Sequence, residues 1–176
     1  MTTVLQHLAH RHLDTDLHQV WVNESERIAT MPLWNLAGQM TGYHQYRPDA
    51  NKTRHNDPKM GRYFTWRRKD MVTVWGAESM HRPGPLFVTE GVFDAARLTQ
   101  VGAAAVAVLS NSPTSDTRQW LASLGRLVVC VCDNDKAGLR LAKYGDVAEI
   151  MPHGQDLGDV CQDVVTELLD RYKIHQ

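Results

Sequence analysis

Two aspartates, Asp133 and Asp135, come directly after the apolar run LVVCVC, which predicts a buried strand. Carboxylates at this spacing repel each other and raise each other's pKa. A divalent cation bound between them would turn the repulsion into coordination, and oxygen ligands suit Mg²⁺ or Mn²⁺. The pair therefore predicts a metal site, although it equally suits the turn and N-cap of a helix beginning at Lys136.

Two further strand patterns are followed by acidic residues. Glu90 closes the run LFVTE, and Asp94 lies four residues beyond it. Asp156 and Asp159 follow the fourth run, DVAEI. Taken singly, Glu90 suits a helix N-terminus, and Asp156 and Asp159 suit the start of the last helix. Because three strand ends carry acids, we expect all six carboxylates to meet at one rim of a sheet.

The elements that must position these acids alternate between strand and helix patterns. Strands are predicted at residues 86–90, 104–109, 127–132 and 146–150, and helices at 92–101, 113–124, 136–144 and 159–173. Strands and helices that alternate over short connections indicate βαβ units in a parallel, doubly wound α/β sheet. Ligands of such sheets bind outside the carboxyl ends of the strands, which is where the acids fall.

The first part of the chain has another pattern, and the stretch HRPGP separates it from the rest. It predicts a short helix at residues 4–13, two strands around the turn NLAG, and further strands at 63–66 and 71–75. We therefore expect an α+β unit at residues 1–82 and a second domain with a C-terminal helix at 83–176.

Charge is unevenly distributed along the chain, although the net charge is only −1. Residues 1–82 hold 11 Lys and Arg against 8 Asp and Glu, whereas residues 83–176 hold 8 against 12. Eight of the basic residues lie between Arg47 and Lys69. A basic segment beside an acidic half suits a polyanion bound together with metal ions, and it also suits a plain solvated surface.

Composition and cysteine use favour an ordinary globular chain. The 176 residues are 43% hydrophobic, which is enough for one core of good size or two small ones. Cys130, Cys132 and Cys161 form neither an even disulfide set nor a zinc spacing, so we expect the first two in the core. The sequence shows no signal peptide and no run of ~20 apolar residues, so we expect a cytoplasmic protein without a membrane partner.

The segments TEGVFDAARL and VVCVCDNDKAG resemble the TOPRIM domain, which bacterial-type DNA primases share with type IA and II topoisomerases and some nucleases. The resemblance covers about residues 85–159 and implies a Rossmann-like, mostly parallel sheet. It implies that Glu90 is the acid/base or metal-associated glutamate and that Asp133 and Asp135 bind Mg²⁺, which makes all three catalytic. Asp94 matches the aspartate of the primase pattern EG-x-x-D and is a further implied metal ligand.

The segment HGQDLGDV resembles the later acidic motif of primases. Asp156 and Asp159 match that motif and join the implied metal ligands, whereas Gly158 stands where many members have Asn or Asp. We do not expect a topoisomerase, because the chain is too short for DNA gating and offers no evident nucleophilic tyrosine.

The segment RIATMPLWNLAGQMTGYHQYRP resembles the part of bacterial and phage primases that precedes TOPRIM, with Asn35 where Asp is usual. In primases this basic unit faces the metals across a cleft that holds template and nucleotides. The resemblance implies nucleic-acid or nucleotide contacts from basic residues, namely Arg27, Arg47, Lys52, Arg54, Arg62, Arg67 and Lys136. Aromatic residues would either stack on bases or belong to the core, namely Tyr43, Tyr46, Tyr63 and Trp66.

Together these resemblances imply a DNA primase catalytic core, encoded by a phage or mobile element, that makes short RNA primers with Mg²⁺ or Mn²⁺. Its partners would be single-stranded DNA, ribonucleoside triphosphates and a helicase or separate template-recognition protein, because the sequence has no zinc-module spacing. Such a protein would act in the host cytoplasm. Two alternatives stay open: a metal-dependent TOPRIM nuclease and a non-catalytic module that binds single-stranded nucleic acid.

Overall fold

The computed structural model describes residues 2–52, 56–110, 112–136 and 138–172, which form two sheets of four strands each. The first sheet is antiparallel and follows a short helix, α1 (Val4–His10). Its strands, in sequence and spatial order, are β1 (Trp21–Asn23), β2 (Ile28–Trp34), β3 (Met40–Tyr46) and β4 (Tyr63–Arg67). The predicted helix, the hairpin and the strand at residues 63–66 are confirmed, and β1 is an additional strand.

The second sheet is parallel, and helices connect its strands. The strands are β5 (Leu86–Thr89), β6 (Ala104–Ala107), β7 (Val128–Cys132) and β8 (Val147–Ile150). The helices are α2 (Val92–Gln100), α3 (Ser115–Ser123), α4 (Gly138–Leu141) and α5 (Gln162–Asp170). The spatial order β6-β5-β7-β8 is that of a doubly wound sheet, so the predicted α/β class is confirmed.

Burial explains why three strands of this sheet are continuous apolar runs. Every residue of β5, β6 and β7 is buried, as expected for parallel strands that are covered on both faces. Cys130 and Cys132 lie in this core, as the sequence predicts. The edge strand β8 instead alternates between half-buried and exposed residues.

A shared hydrophobic cluster joins the two sheets. Met31 and Leu33 of β2 and Tyr46 of β3 belong to the same cluster as Phe87 of β5 and Phe93 of α2. The rings of Tyr46 and Phe93 meet edge to face, with centroids 4.9 Å apart. This packing holds the antiparallel sheet beside the first turn of α2, and the division of the chain at residue 82 stays a prediction.

The predicted strand at residues 71–75 is wrong. Within this segment only Trp75 pairs with the second sheet, through two backbone hydrogen bonds to Ala107 of 2.9 and 3.0 Å. Val74 and Trp75 are both buried, but in different hydrophobic clusters. The apolar run therefore belongs to a buried connecting segment. Its composition is the same as that of a hydrogen-bonded β-strand, so the sequence alone does not distinguish the two.

Within the described part of the chain, no helix has the length and apolar character needed to cross a membrane.

Candidate metal and nucleic-acid site

Two of the predicted acids lie at the carboxyl ends of adjacent parallel strands. β5 and β7 are neighbours in the sheet, and the connection after β5 leads to β6 on one side, whereas the connection after β7 leads to β8 on the other side. Glu90 directly follows β5, and Asp133 directly follows β7. This is the switch point of the sheet, where doubly wound proteins bind their ligands.

A cavity of about 510 Å³ lies over this switch point, between the parallel sheet and the antiparallel sheet. Its acidic wall contains five of the six predicted carboxylates, namely Glu90, Asp94, Asp133, Asp135 and Asp156. The facing wall contains residues of the N-terminal unit, namely Arg11, His44, Lys52, Tyr63 and Thr65. Asp159 does not line the cavity; its side chain is 66% exposed and lies 3.9 Å from the Arg11 guanidinium.

The turn after β7 orients Asp133 and Asp135. The Asp135 N–H donates to the Asp133 carbonyl at 2.9 Å, and the Asp135 carboxylate accepts from the Gly138 N–H at 2.7 Å. Asp135 thus does cap α4, as the alternative interpretation predicts, and it also lines the cavity. A Cβ on Gly138 would lie 2.1 Å from the Asp133 carbonyl oxygen, so only glycine lets α4 pack this closely.

The turn after β5 makes room for Asp94. The Glu90 carbonyl accepts from the Leu109 N–H at 3.0 Å, which fixes the backbone at the end of the strand. A Cβ on Gly91 would lie 2.8 Å from a carboxylate oxygen of Asp94. Glycine after Glu90 therefore lets the first turn of α2 bring Asp94 to the same wall.

The acids at the switch point raise one another's pKa. Burial raises the pKa of Glu90, and the charges of Asp133 and Asp135 raise it further. Burial likewise raises the pKa of Asp133, with contributions from Asp156 and Asp135, and Lys52 opposes the increase. These carboxylates therefore lie in a region where negative charge is poorly compensated, as a cation site requires.

Asp94 and Asp156 share a proton across the same wall. Burial and a hydrogen bond to Asp156 raise the pKa of Asp94 well above its usual range. Burial also acts against ionisation of Asp156, but hydrogen bonds from Asp94 and Gly158 and the charge of Arg11 together lower its pKa. The Gly158 N–H donates to both carboxylates, at 3.1 and 2.8 Å. When the pair holds one proton, Asp94 is therefore the partner that carries it.

The donor set suits a hard divalent cation in chemistry and charge. Glu90, Asp133 and Asp135 offer only oxygen ligands, which Mg²⁺ and Mn²⁺ prefer. As the side chains stand, the described residues include no three His, Cys, Asp or Glu groups close enough to enclose an ion. The fit therefore rests on the mutual repulsion of these carboxylates and on the room between the two walls.

Glu90→Gln should make the metal-free protein more stable at neutral pH. A raised pKa in the folded state means that the contribution of Glu90 to stability is present below its ordinary pKa and lost as pH rises through the folded value. The difference in unfolding free energy between Glu90→Gln and wild type should therefore grow with pH, in urea titrations with a chelator.

Asp49→Asn provides a control of opposite sign. Its hydrogen bond and ion pair with Arg27 lower the pKa of Asp49, so wild type should gain stability over this variant as pH rises. A Glu90→Gln difference that shrinks towards neutral pH would contradict the repulsion described here.

Of the predicted basic residues, the structure brings Lys52 to the cavity. Arg27 instead pairs with Asp49 at 2.7 Å, Arg62 donates to the Ala50 carbonyl at 2.7 Å, and Arg47 lies 3.4 Å from the Gln45 amide oxygen. Arg67 and Lys136 do not belong to the described lining, and Arg54 lies outside the described residues. The roles assigned to these residues stay predictions.

The four aromatic candidates divide between different environments. Tyr63 lines the cavity, whereas Tyr46 is buried in the core and hydrogen-bonds His7 at 2.7 Å. Tyr43 and Trp66 stack on each other at 5.8 Å. Strand alternation places this pair on the sheet face opposite to Tyr46 and Tyr63.

Three polar side chains that line the cavity were not predicted from the sequence, namely Arg11, His44 and Thr65. His44 contacts the Thr65 hydroxyl at 2.8 Å, and burial lowers the pKa of His44 to about 4, so the ring is neutral at pH 7. The alternation of β3 and β4 could have placed His44 and Thr65 beside Tyr63. Arg11 gives no comparable signal, because an arginine after a short helix usually faces solvent.

Comparison with known proteins agrees with this architecture. A family model described as Toprim-like matches residues 87–160, close to the range expected from the motifs. A search of curated proteins found no matching sequence.

Three solved structures illustrate the similarity of the whole fold. The E. coli primase catalytic core is 21% identical, with a TM-score of 0.59 over 93% of this chain and 56% of that chain. A DnaG primase catalytic domain bound to ssDNA is 20% identical, with a TM-score of 0.64 over 96% and 58%. The RNA polymerase domain of Mycobacterium tuberculosis DnaG with double-stranded DNA is 18% identical, with a TM-score of 0.59 over 95% and 60%.

This chain thus spans between 56% and 60% of the length of those three structures. Both sheets take part in the similarity, because the matches extend well beyond the Toprim-like range. Residues 87–160 therefore resemble a Toprim-like domain, within a chain that has the fold of the DnaG primase catalytic core.

Proposed function

We propose that this chain is a primase-type nucleotidyltransferase that synthesises short RNA primers on single-stranded DNA with Mg²⁺ or Mn²⁺. The observation that carries the proposal is the cavity, in which the acidic end of the parallel sheet faces Lys52 and Tyr63 of the N-terminal unit. A polyanionic substrate needs both walls, because the acidic wall would hold the divalent cation and the facing wall supplies a basic side chain for the phosphates.

The proposal extends to the setting of the enzyme. We place it in the cytoplasm of a host cell, encoded by a phage or mobile element, with a helicase or separate template-recognition protein as partner. The overall fold supports the catalytic part of this proposal, since one similar structure is a DnaG catalytic domain bound to ssDNA.

Primer synthesis joins ribonucleotides when a 3′-hydroxyl attacks an α-phosphorus and pyrophosphate leaves. A divalent cation held by Glu90, Asp133 and Asp135 would supply charge neutralisation for the phosphates and acidify the hydroxyl. The resemblance gives Glu90 either this metal-associated role or that of accepting the hydroxyl proton on its carboxylate. Lys52 would bind a phosphate, and Tyr63 would stack on a base at the facing wall.

One assay tests this function against the two alternatives. Purified protein is incubated with Mg²⁺ or Mn²⁺, single-stranded DNA and labelled ribonucleoside triphosphates. A primase yields oligoribonucleotides that begin with a triphosphate, whereas a nuclease shortens the template without consuming nucleotides. A non-catalytic module yields neither product and binds DNA in a salt-dependent way. Either of the last two results would reject the proposal.

Lys52→Ala should weaken binding of single-stranded DNA and reduce its salt dependence. Loss of one phosphate contact should make the slope of log K against log salt shallower by about 0.7. Fluorescence anisotropy with a labelled oligonucleotide at several salt concentrations measures this slope. Lys143→Ala removes an exposed lysine that does not line the cavity and should leave the slope unchanged. Equal effects from both variants would contradict a specific contact at Lys52.

A further inference from the structure

The later acidic motif surrounds a positive side chain. Asp159 lies 3.9 Å from the Arg11 guanidinium, and Asp156 lies on the same cavity wall as Asp94. The Arg11 side chain is only 21% exposed, so its charge is held close to these acids and away from bulk solvent. This half of the cavity therefore already contains a cation.

Gly158 gives Arg11 the space that it occupies. The motif that this segment resembles has Asn or Asp at that position. A Cβ on Gly158 would lie 3.1 Å from an Asp156 oxygen, 3.2 Å from Nη2 of Arg11 and 3.6 Å from an Asp94 oxygen. A larger side chain at 158 would therefore crowd the guanidinium and the two carboxylates.

Other contacts keep Arg11 in place. Its backbone N–H donates to the His7 carbonyl at 3.1 Å at the end of α1, and its guanidinium lies 4.4 Å from the centre of the Phe93 ring. The Nε atom is buried and has no hydrogen-bond partner within the described ranges. The Arg11 guanidinium therefore lies against Phe93 beside the acids and is mostly shielded from solvent.

We infer that the Arg11 guanidinium takes the place of a divalent cation in this half of the cavity, so that the chain binds one ion, at Glu90, Asp133 and Asp135. The inference rests on the metal-dependent function proposed above. It predicts that Asp156 and Asp159 serve to hold Arg11 and are not metal ligands. Arg11 is thus a positioning residue, which keeps the acidic motif compact without a second ion.

Direct measurement of bound Mn²⁺ tests the inference without nucleotide or DNA. Wild type, titrated with Mn²⁺ and followed by electron paramagnetic resonance, should bind about one ion per chain. Asp133→Asn should remove that ion, and Asp156→Asn should leave it in place. Arg11→Gln should bind about two ions, because the acids lose their cation, whereas Arg11→Lys should bind about one.

Arg118→Gln is the matched control. It removes one exposed positive charge on α3 that does not line the cavity, and it should bind the same number of ions as wild type. Wild type that binds two ions, one of them lost in Asp156→Asn, would overturn the inference even if Arg11→Gln did not fold. A folded Arg11→Gln protein that binds a single ion would overturn it as well.

The outcome is separable from that of the primase assay. A wild-type chain that binds one ion at Asp133 but makes no primers would reject the proposed activity and leave the inference about Arg11 in place. Primer synthesis by a chain that binds two ions would support the proposed activity and reject the inference about Arg11.

Discussion

Asp133→Asn is expected to reduce primer synthesis by about 10³-fold. Asp133 lies at the end of β7, lines the cavity and is the neighbouring charge that raises the pKa of Glu90 most. Asparagine keeps the shape of the side chain but removes the charge that would hold a divalent cation. Loss of metal-based charge stabilisation is worth several kcal/mol, and each 1.4 kcal/mol corresponds to about tenfold in rate. Initial rates of oligoribonucleotide formation at saturating Mg²⁺ measure the effect.

Asp159→Asn is the matched control for this variant. It makes the same chemical change in a predicted metal ligand whose side chain is exposed and outside the cavity lining. Its rate should stay within about threefold of wild type, the range expected for a change worth less than 1 kcal/mol. Equal losses in both variants would contradict the placement of the ion at the switch point.

A stability measurement separates lost chemistry from lost folding. Burial and the neighbouring carboxylates raise the pKa of Asp133, so its charge opposes folding when metal is absent. Asp133→Asn should therefore unfold in urea at a concentration equal to or above that of metal-free wild type at neutral pH. An inactive variant that is also less stable would point to a structural role instead.

The location of the acids at the switch point could be predicted from the sequence, because it follows from the pattern of the strands that they end. Buried parallel strands are continuous apolar runs, and their carboxyl ends must meet at one edge. Glu90 and Asp133 therefore had to lie together once both runs were assigned to one sheet. The same argument fails for Asp159, because it lies in the loop before α5 and does not directly follow a strand, and its side chain is exposed beside Arg11.

Contacts between distant segments were not predictable in the same way. Arg11 reaches the cavity because α1 packs through Val4 and Leu8 into a core shared with Phe93. The composition of residues 71–75 likewise did not reveal their structure, because a buried connecting segment favours the same apolar and β-branched side chains as a hydrogen-bonded β-strand. Where contacts between distant segments determine the conformation of a residue, the local sequence pattern is compatible with several structures.

Gly138→Ala is expected to destabilise the fold by about 3 kcal/mol, because the new Cβ would lie 2.1 Å from the Asp133 carbonyl oxygen. Alanine normally stabilises a helix by about 1 kcal/mol relative to glycine, so the overlap must outweigh that gain. The backbone of Asp133 has to shift, and Asp135 loses its short bond from the Gly138 N–H. Mn²⁺ affinity should fall by about tenfold or more, as when partners that orient a metal ligand are removed. Urea unfolding and Mn²⁺ titration measure the two effects.

Gly125→Ala distinguishes the need for space from the need for backbone freedom. Gly125 has φ +62°, and no described atom lies within 4 Å of the position that its Cβ would take. Alanine there should cost about 1–2 kcal/mol through left-handed strain alone and should leave Mn²⁺ binding unchanged. If Gly138→Ala cost no more than Gly125→Ala and bound Mn²⁺ normally, the close packing of α4 on Asp133 would not be what positions the acids. If Gly138→Ala is instead less stable than Gly125→Ala and binds Mn²⁺ more weakly, Gly138 is needed to position the backbone that carries Asp133 and Asp135.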